Sequence, residues 1–102
     1  MIIQAVAHRG YPKKYPENTL SSFLKAVELG FTHLELDVHL SQDGIPVVIH
    51  DHTVDRMTNG TGRVADYTAS ELQSFHIKQG EHIPTLEEVL RALKGKIGLN
   101  IE

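Results

Sequence analysis

The sequence predicts an α/β fold built on a parallel sheet. Three observations carry that expectation: short apolar runs that read as strands, amphipathic segments of helical period, and the alternation of the two along the chain. The 102 residues amount to about one small domain. An apolar fraction of 40% with 23% charged residues fits a globular chain. Ten basic and thirteen acidic residues leave a formal charge of −3, and no basic run forms a patch, so nucleic acid is not an expected partner. No apolar run is long enough to span a bilayer, so no membrane anchor is expected. Met1 leads into Ile2-Ile3-Gln4 without a basic n-region or a long apolar h-region, which reads as a cytoplasmic chain. The absence of cysteine removes disulfides, thiolate metal sites and cysteine nucleophiles. Seven histidines are the first sign of chemistry.

Ile2 to Ala7 predicts a buried strand ending at the polar cluster His8-Arg9-Gly10. Tyr11 to Glu17 is a loop broken by Pro12 and Pro16. Asn18 or Thr19 then caps a helix whose stripe is Leu20, Phe23, Leu24, Val27 and Leu29, stopped by Gly30. From Thr32 to Ser41 the period is two: Leu34, Leu36, Val38 and Leu40 share one face, His33, Glu35, Asp37 and His39 the other. Asp43-Gly44 predicts a two-residue hairpin turn into a strand over Pro46 to His50. Asp51 to Asp66 reads as a loop. Capping boxes at Thr68 with Glu71 and Thr85 with Glu88 open helices from Thr68 to Phe75 and from Thr85 through Lys94. The second carries Leu86, Val89, Leu90 and Leu93 between Pro84 and Gly95. Gly98 to Glu102 begins another strand. Residues 1–102 thus read as a single unit with three parallel strands, thin for a sheet that needs cover on both faces. Such a unit is expected to be incomplete, its edges continuing into more chain or pairing with a second copy as a homo-oligomer.

Glu35 and Asp37, at i and i+2, point the same way and are able to share one hard divalent cation. An edge strand with its polar face in water accounts for the same alternation. The two-residue turn adds to the pair, because it sets Asp37 opposite His50 and Glu35 opposite His52. Residues just past the carboxyl ends of parallel strands line the ligand crevice. That rule gathers His8, Arg9, Glu35, Asp37 and Glu102 at one edge, and the hairpin returns His50 to it. Three carboxylates, two histidines and an arginine suit a phosphate ester. The carboxylates hold Mg²⁺ or Ca²⁺, the metal and arginine neutralise phosphoryl charge, and the histidines move protons. Glu17, Asp51 and His52 are expected to support this set from behind. Asn18 reads as a helix cap, Lys13 and Lys14 as a solvated loop. His33, His39, His76 and His82 belong to no constellation.

Taken in order, His8-Arg9-Gly10, Pro16-Glu17-Asn18-Thr19, Glu35-Leu36-Asp37-Val38, Asp43-Gly44, His50-Asp51, Arg56-Met57-Thr58-Asn59-Gly60 with Gly62, and Ile83-Pro84-Thr85-Leu86-Glu87-Glu88-Val89 resemble the glycerophosphodiester phosphodiesterases. The resemblance implies a TIM-type (β/α)₈ phosphodiesterase barrel of which this chain is the amino-terminal portion, since such a barrel needs about 250 residues. It also implies metal-dependent hydrolysis of a small-molecule glycerophosphodiester to glycerol 3-phosphate and an alcohol such as choline or ethanolamine. By the same resemblance His8 and His50 are the acid–base pair, Arg9 holds phosphate, and Glu35, Asp37 and Glu102 bind Mg²⁺ or Ca²⁺. The family's phosphate-contacting lysine, two residues beyond the position of Glu102, lies past the last residue of this chain. Two other readings follow from the same residues. One is a related phospholipase or lyase on the same barrel, for which no membrane-binding stretch speaks. The other is a non-catalytic half-barrel module that self-associates.

Overall fold

A computed structural model describes residues 6–102. The strand expected over Ile2 to Ala7 lies largely outside the described residues, and what is described of it is β1, Val6–His8. There follow α1 (Leu20–Glu28), β2 (His33–Leu36), β3 (Val38–Leu40), β4 (Pro46–Val48), α2 (Ala69–Ser74), α3 (Leu86–Leu93) and β5 (Gly98–Ile101). β1, β2 and β5 form a parallel sheet with β2 in the middle, as the alternation of strands and helices predicts.

One face of that sheet is covered by helices. Ala7, Leu34 and Leu36 are buried against Phe23 and Ala26 of α1 and Val89 and Leu93 of α3. The helical stripe expected on α1 is rotated: Leu24 and Leu29 are exposed, while Ser22 and Ala26 are buried beside Phe23. The small residues let α1 approach closely, and the Ser22 hydroxyl accepts from Tyr11 N at 2.5 Å. Thr19 is the cap, its hydroxyl accepting from Ser22 N. The two expected capping boxes are present in both directions, Thr68 with Glu71 and Thr85 with Glu88.

The strand expected from Thr32 to Ser41 is divided at Asp37. β2 belongs to the parallel sheet, whereas β3 pairs antiparallel with β4 in a separate two-stranded sheet. Strand pairing nevertheless brackets Asp37, since Glu102 N donates to Leu36 O at 3.0 Å and Val38 N to Glu102 O at 2.9 Å. Beyond β4 the loop expected from Asp51 onward packs with α2 as a second small core of Val54, Val64, Ala69, Leu72, Ile77 and Ile83, closed by Val47 and Ile49. Val48, between those two, points into the main core. β4 therefore serves both cores on alternate faces, the period of a strand.

The hairpin corrects the expected register. Val38 pairs with Val48, His39 with Val47 and Leu40 with Pro46. Ser41 N donates to Ile45 O and Gly44 N to Ser41 O, so the connection is a tight turn followed by a left-handed Gly44 (φ 77°), one residue longer than expected. The cause is distant. The Asp43 carboxylate accepts from Ser41 Oγ at 2.5 Å and from Ala69 N at 3.0 Å, which anchors the turn on the start of α2. The shift sets Ile49, not His50, against Asp37, with Ile49 N donating to Asp37 O at 3.0 Å. Glu35 lies between His8 and Asn100 in the parallel sheet and does not face His52.

Gly10 has φ +91°, and a Cβ there would lie 2.3 Å from Ser22 Oγ and 2.9 Å from Ser22 backbone carbon. Gly44 has φ +77° with open space around it. Gly44→Ala is expected to cost about 1 kcal/mol through the left-handed backbone alone, and Gly10→Ala about 3 kcal/mol because overpacking adds to it. Urea midpoints at unchanged slope measure both.

Candidate active site

The parallel register places His8, Glu35 and Asn100 in one row across the three strands. Asp37, two residues on, returns to the same side as Glu35, and backbone pairing brings Glu102 beside it. One carboxylate oxygen each from Glu35, Asp37 and Glu102 lies within 4.8 Å of the other two. Three like charges so close disfavour one another without a counter-ion, and an all-oxygen set suits a hard divalent cation such as Mg²⁺ or Ca²⁺. The residues present therefore fit the metal that the sequence suggests.

The groups around this cluster follow from a strained loop. Arg9 leaves β1 in a left-handed conformation (φ 57°) and its N–H donates to Glu35 O at 2.7 Å. Asn18 is left-handed as well (φ 56°), and its N–H donates to Arg9 O at 2.9 Å. Non-glycine residues adopt this region at a cost of about 1–3 kcal/mol each, and such strain gathers at functional sites. Here it directs both side chains at one carboxylate. Arg9 Nε stands 3.3 Å from Asp37 Oδ2, and Asn18 Nδ2 donates to the same oxygen at 3.1 Å. Asn18 is thus a ligand of the buried Asp37 and not the helix cap it was expected to be. His8 Nε2 lies 3.0 Å from Glu35 Oε1.

His50 reaches the set indirectly. Its Nδ1 donates to Asp51 Oδ1 at 2.8 Å, and its carbonyl accepts from His39 Nε2 at 2.8 Å. His39, which the sequence leaves without a role, therefore fixes the backbone of His50. Arg56 completes the chain of contacts. Its Nε and Nη2 donate to Asp51 at 2.8 and 3.1 Å, and its Nη1 and Nη2 to Glu17 at 2.9 and 3.0 Å. Glu17 also accepts from Arg9 Nη1 at 3.2 Å. Charge alternates without a break from Asp37 through Arg9, Glu17, Arg56 and Asp51 to His50. His52, expected to support the site, is exposed, and its side chain has no polar partner among the described residues. Arg56 was visible only as part of a motif, since nothing local announces a partner 39 residues away.

Hydrogen bonds from Arg56 hold the Asp51 carboxyl far below the usual carboxylate range, with the His50 hydrogen bond adding to the effect. They also lower Glu17, with help from the charge of Arg9. The same bonds push Arg56 above its ordinary value.

His8, Arg9 and three carboxylates gather at the carboxyl ends of the parallel strands, with His50 on the loop after β4, the place where a parallel α/β barrel binds its ligand. The model of the Glycerophosphoryl diester phosphodiesterase family matches residues 8–102, and the chain belongs to that family. A glycerophosphodiester phosphodiesterase of Caldanaerobacter subterraneus is 50% identical over 105 residues, covering 95% of this chain and 43% of that protein. The crystal structure of a glycerophosphodiester phosphodiesterase from Agrobacterium tumefaciens superposes with a TM-score of 0.94 at 37% identity, covering 98% of this chain and 46% of that one. An Oleispira antarctica phosphodiesterase, solved in complex with the product sn-glycerol 3-phosphate, gives 0.91 at 38% identity, covering 98% of this chain and 44% of that one. The chain spans less than half the length of these relatives and corresponds to the amino-terminal portion of their TIM-type barrel. No helix among the described residues is long and apolar enough to cross a membrane.

Both carboxyls are depressed in the folded state, so their contribution to stability is complete above their unfolded values, near pH 4, and is lost as the pH falls through the folded ones. The stability difference between the native protein and an Arg56→Met variant is therefore expected to be constant from neutral pH to about pH 5 and to shrink below about pH 4. Urea titrations across that range measure it, and a difference that grows on acidification would refute the assignment.

Proposed function

We propose that residues 1–102 form a single unit of a glycerophosphodiester phosphodiesterase and carry the metal-binding and proton-transfer groups of its reaction. The substrate is a glycerol-linked phosphodiester, and the products are glycerol 3-phosphate and a free alcohol. The observation that carries this reading is the convergence of the Glu35, Asp37 and Glu102 oxygens within 4.8 Å, beside His8 and Arg9, at the ends of parallel strands. The sn-glycerol 3-phosphate bound by the Oleispira relative supports the product half of the assignment.

In this reading Glu35, Asp37 and Glu102 hold Mg²⁺ or Ca²⁺. Such a cation supplies positive charge against phosphoryl oxygens and lowers the pKa of a coordinated hydroxyl. Arg9 is held by the hydrogen bond from Nη1 to Glu17 and by its ion pair with Asp37, and its guanidinium is the group for a phosphate oxygen. His50 donates its Nδ1–H to Asp51, so its Nε2 is the nitrogen that exchanges a proton with substrate. His8, more than half exposed at the end of β1, is the second proton carrier. Buried Asn18 holds Asp37 in place. The rest of the barrel, which this chain does not include, supplies the remaining pocket.

With the rest of the barrel present, the protein is expected to hydrolyse glycerophosphocholine with Mg²⁺ or Ca²⁺ and to stop when the metal is chelated. His8→Ala and His50→Ala each lower kcat by about 10²–10⁴-fold. Calorimetry detects metal binding to the native protein and none to Asp37→Asn. Equal affinity in both would remove Asp37 from the metal site.

A further inference from the structure

We propose that Arg56 is a positioning residue whose guanidinium, clamped between Asp51 and Glu17, sets the tautomer of His50 and the placement of Arg9. The inference rests on the proposed roles of His50 and Arg9 and adds a group that touches neither substrate nor metal. His50 is 44% exposed in its side chain, so packing does not orient its ring. Its orientation comes from one bond, Nδ1 to Asp51 Oδ1 at 2.8 Å. Asp51 follows β4 in a loop and is held in turn by Arg56, with Nη2 on Oδ1 at 3.1 Å and Nε on Oδ2 at 2.8 Å. Both carboxylate oxygens are engaged, and the group is not free to rotate.

The opposite edge of the same guanidinium treats Glu17 likewise, at 2.9 and 3.0 Å. Glu17 Oε2 also receives Arg9 Nη1. One planar cation thus locks two carboxylates, and each carboxylate holds a different group assigned to the reaction. A side chain 49% exposed that makes four charge-assisted hydrogen bonds is not an ordinary surface arginine. The task requires a fork: lysine keeps the charge but presents a single point donor group, which cannot span both carboxylates in one plane. The depressed Asp51 and Glu17 carboxyls agree with this arrangement. Without Arg56 the Asp51 carboxylate turns toward water, and the His50 ring redistributes between its two neutral tautomers.

Long-range ¹H–¹⁵N spectra at about pH 8, where imidazole is neutral, report the tautomer directly. The native protein is expected to show His50 protonated at Nδ1, and both Arg56→Met and Arg56→Lys a mixture. In kinetics both variants should lose about 10–100-fold in kcat and raise KM as well, because Arg9, assigned to phosphate, loses the Glu17 that Arg56 holds. An unchanged His50 tautomer in both variants overturns the proposal whatever the rates. Full recovery of kcat in Arg56→Lys overturns it too, since charge alone would then suffice. Loss of folding in both, judged by circular dichroism, replaces it with a purely structural role. The tautomer measurement needs no turnover, so an inactive protein with the whole barrel present would refute the proposed function and leave this test intact.

Discussion

A carboxylate buried at the end of a β-strand has to be answered by positive charge or donors, and at Asp37 that requirement shapes everything nearby. Two side chains answer it, Arg9 and Asn18, from opposite ends of one loop. Both reach it only from left-handed backbone, and the two residues are tied to each other by the bond from Asn18 N to Arg9 O. The β1–α1 connection is thus wound around a charge and not around an apolar core. Gly10 and buried Ser22 are the steric consequences, since the winding leaves no room for a Cβ beside the first turn of α1. Unpaired, a buried Asp37 would cost several kcal/mol, which sets the scale of strain the loop is able to carry.

What could be read from the sequence was what local physics decides. Period-two alternation placed Glu35 and Asp37 on one side of a strand, and capping boxes located α2 and α3. The crossover pattern gave the parallel sheet, and the rule for strand ends brought His8, Arg9 and Glu102 to the acidic pair. Features that depend on distant partners were not readable. The hairpin is one residue longer than its Asp43-Gly44 signal suggests because Asp43 is occupied by Ala69, 26 residues on. Asn18 looks like a cap, and only the fold reveals that Thr19 serves α1 and leaves Asn18 for Asp37. The stripe of α1 misled for a similar reason: closeness to the β1–α1 loop favours Ser22 and Ala26 over Leu24 and Leu29 at the interface.

The alternating charges from Asp37 to His50 also explain how a loop-borne histidine can be as well placed as one on a strand. Backbone pairing fixes His8 and Glu35 directly. His50 has no such ladder. It is held from its carbonyl by His39 and from its ring by Asp51. Sheet and loop are thereby joined through side-chain hydrogen bonds in which nearly every member is charged, the kind that is strongest and least tolerant of a missing partner.

β4 has a consequence of a different kind. Val48 is embedded in the core that supports the sheet, while its neighbours Val47 and Ile49 are embedded in the core of the segment that follows. A single extended strand cannot release one set without withdrawing the other, because they are adjacent residues on opposite faces. The two cores are therefore expected to form one cooperative unit although they share no buried residue. Amide hydrogens of residues 47–49 are expected to exchange only with opening of the whole molecule, so that the carboxylate sheet and the segment that carries Arg56 unfold together.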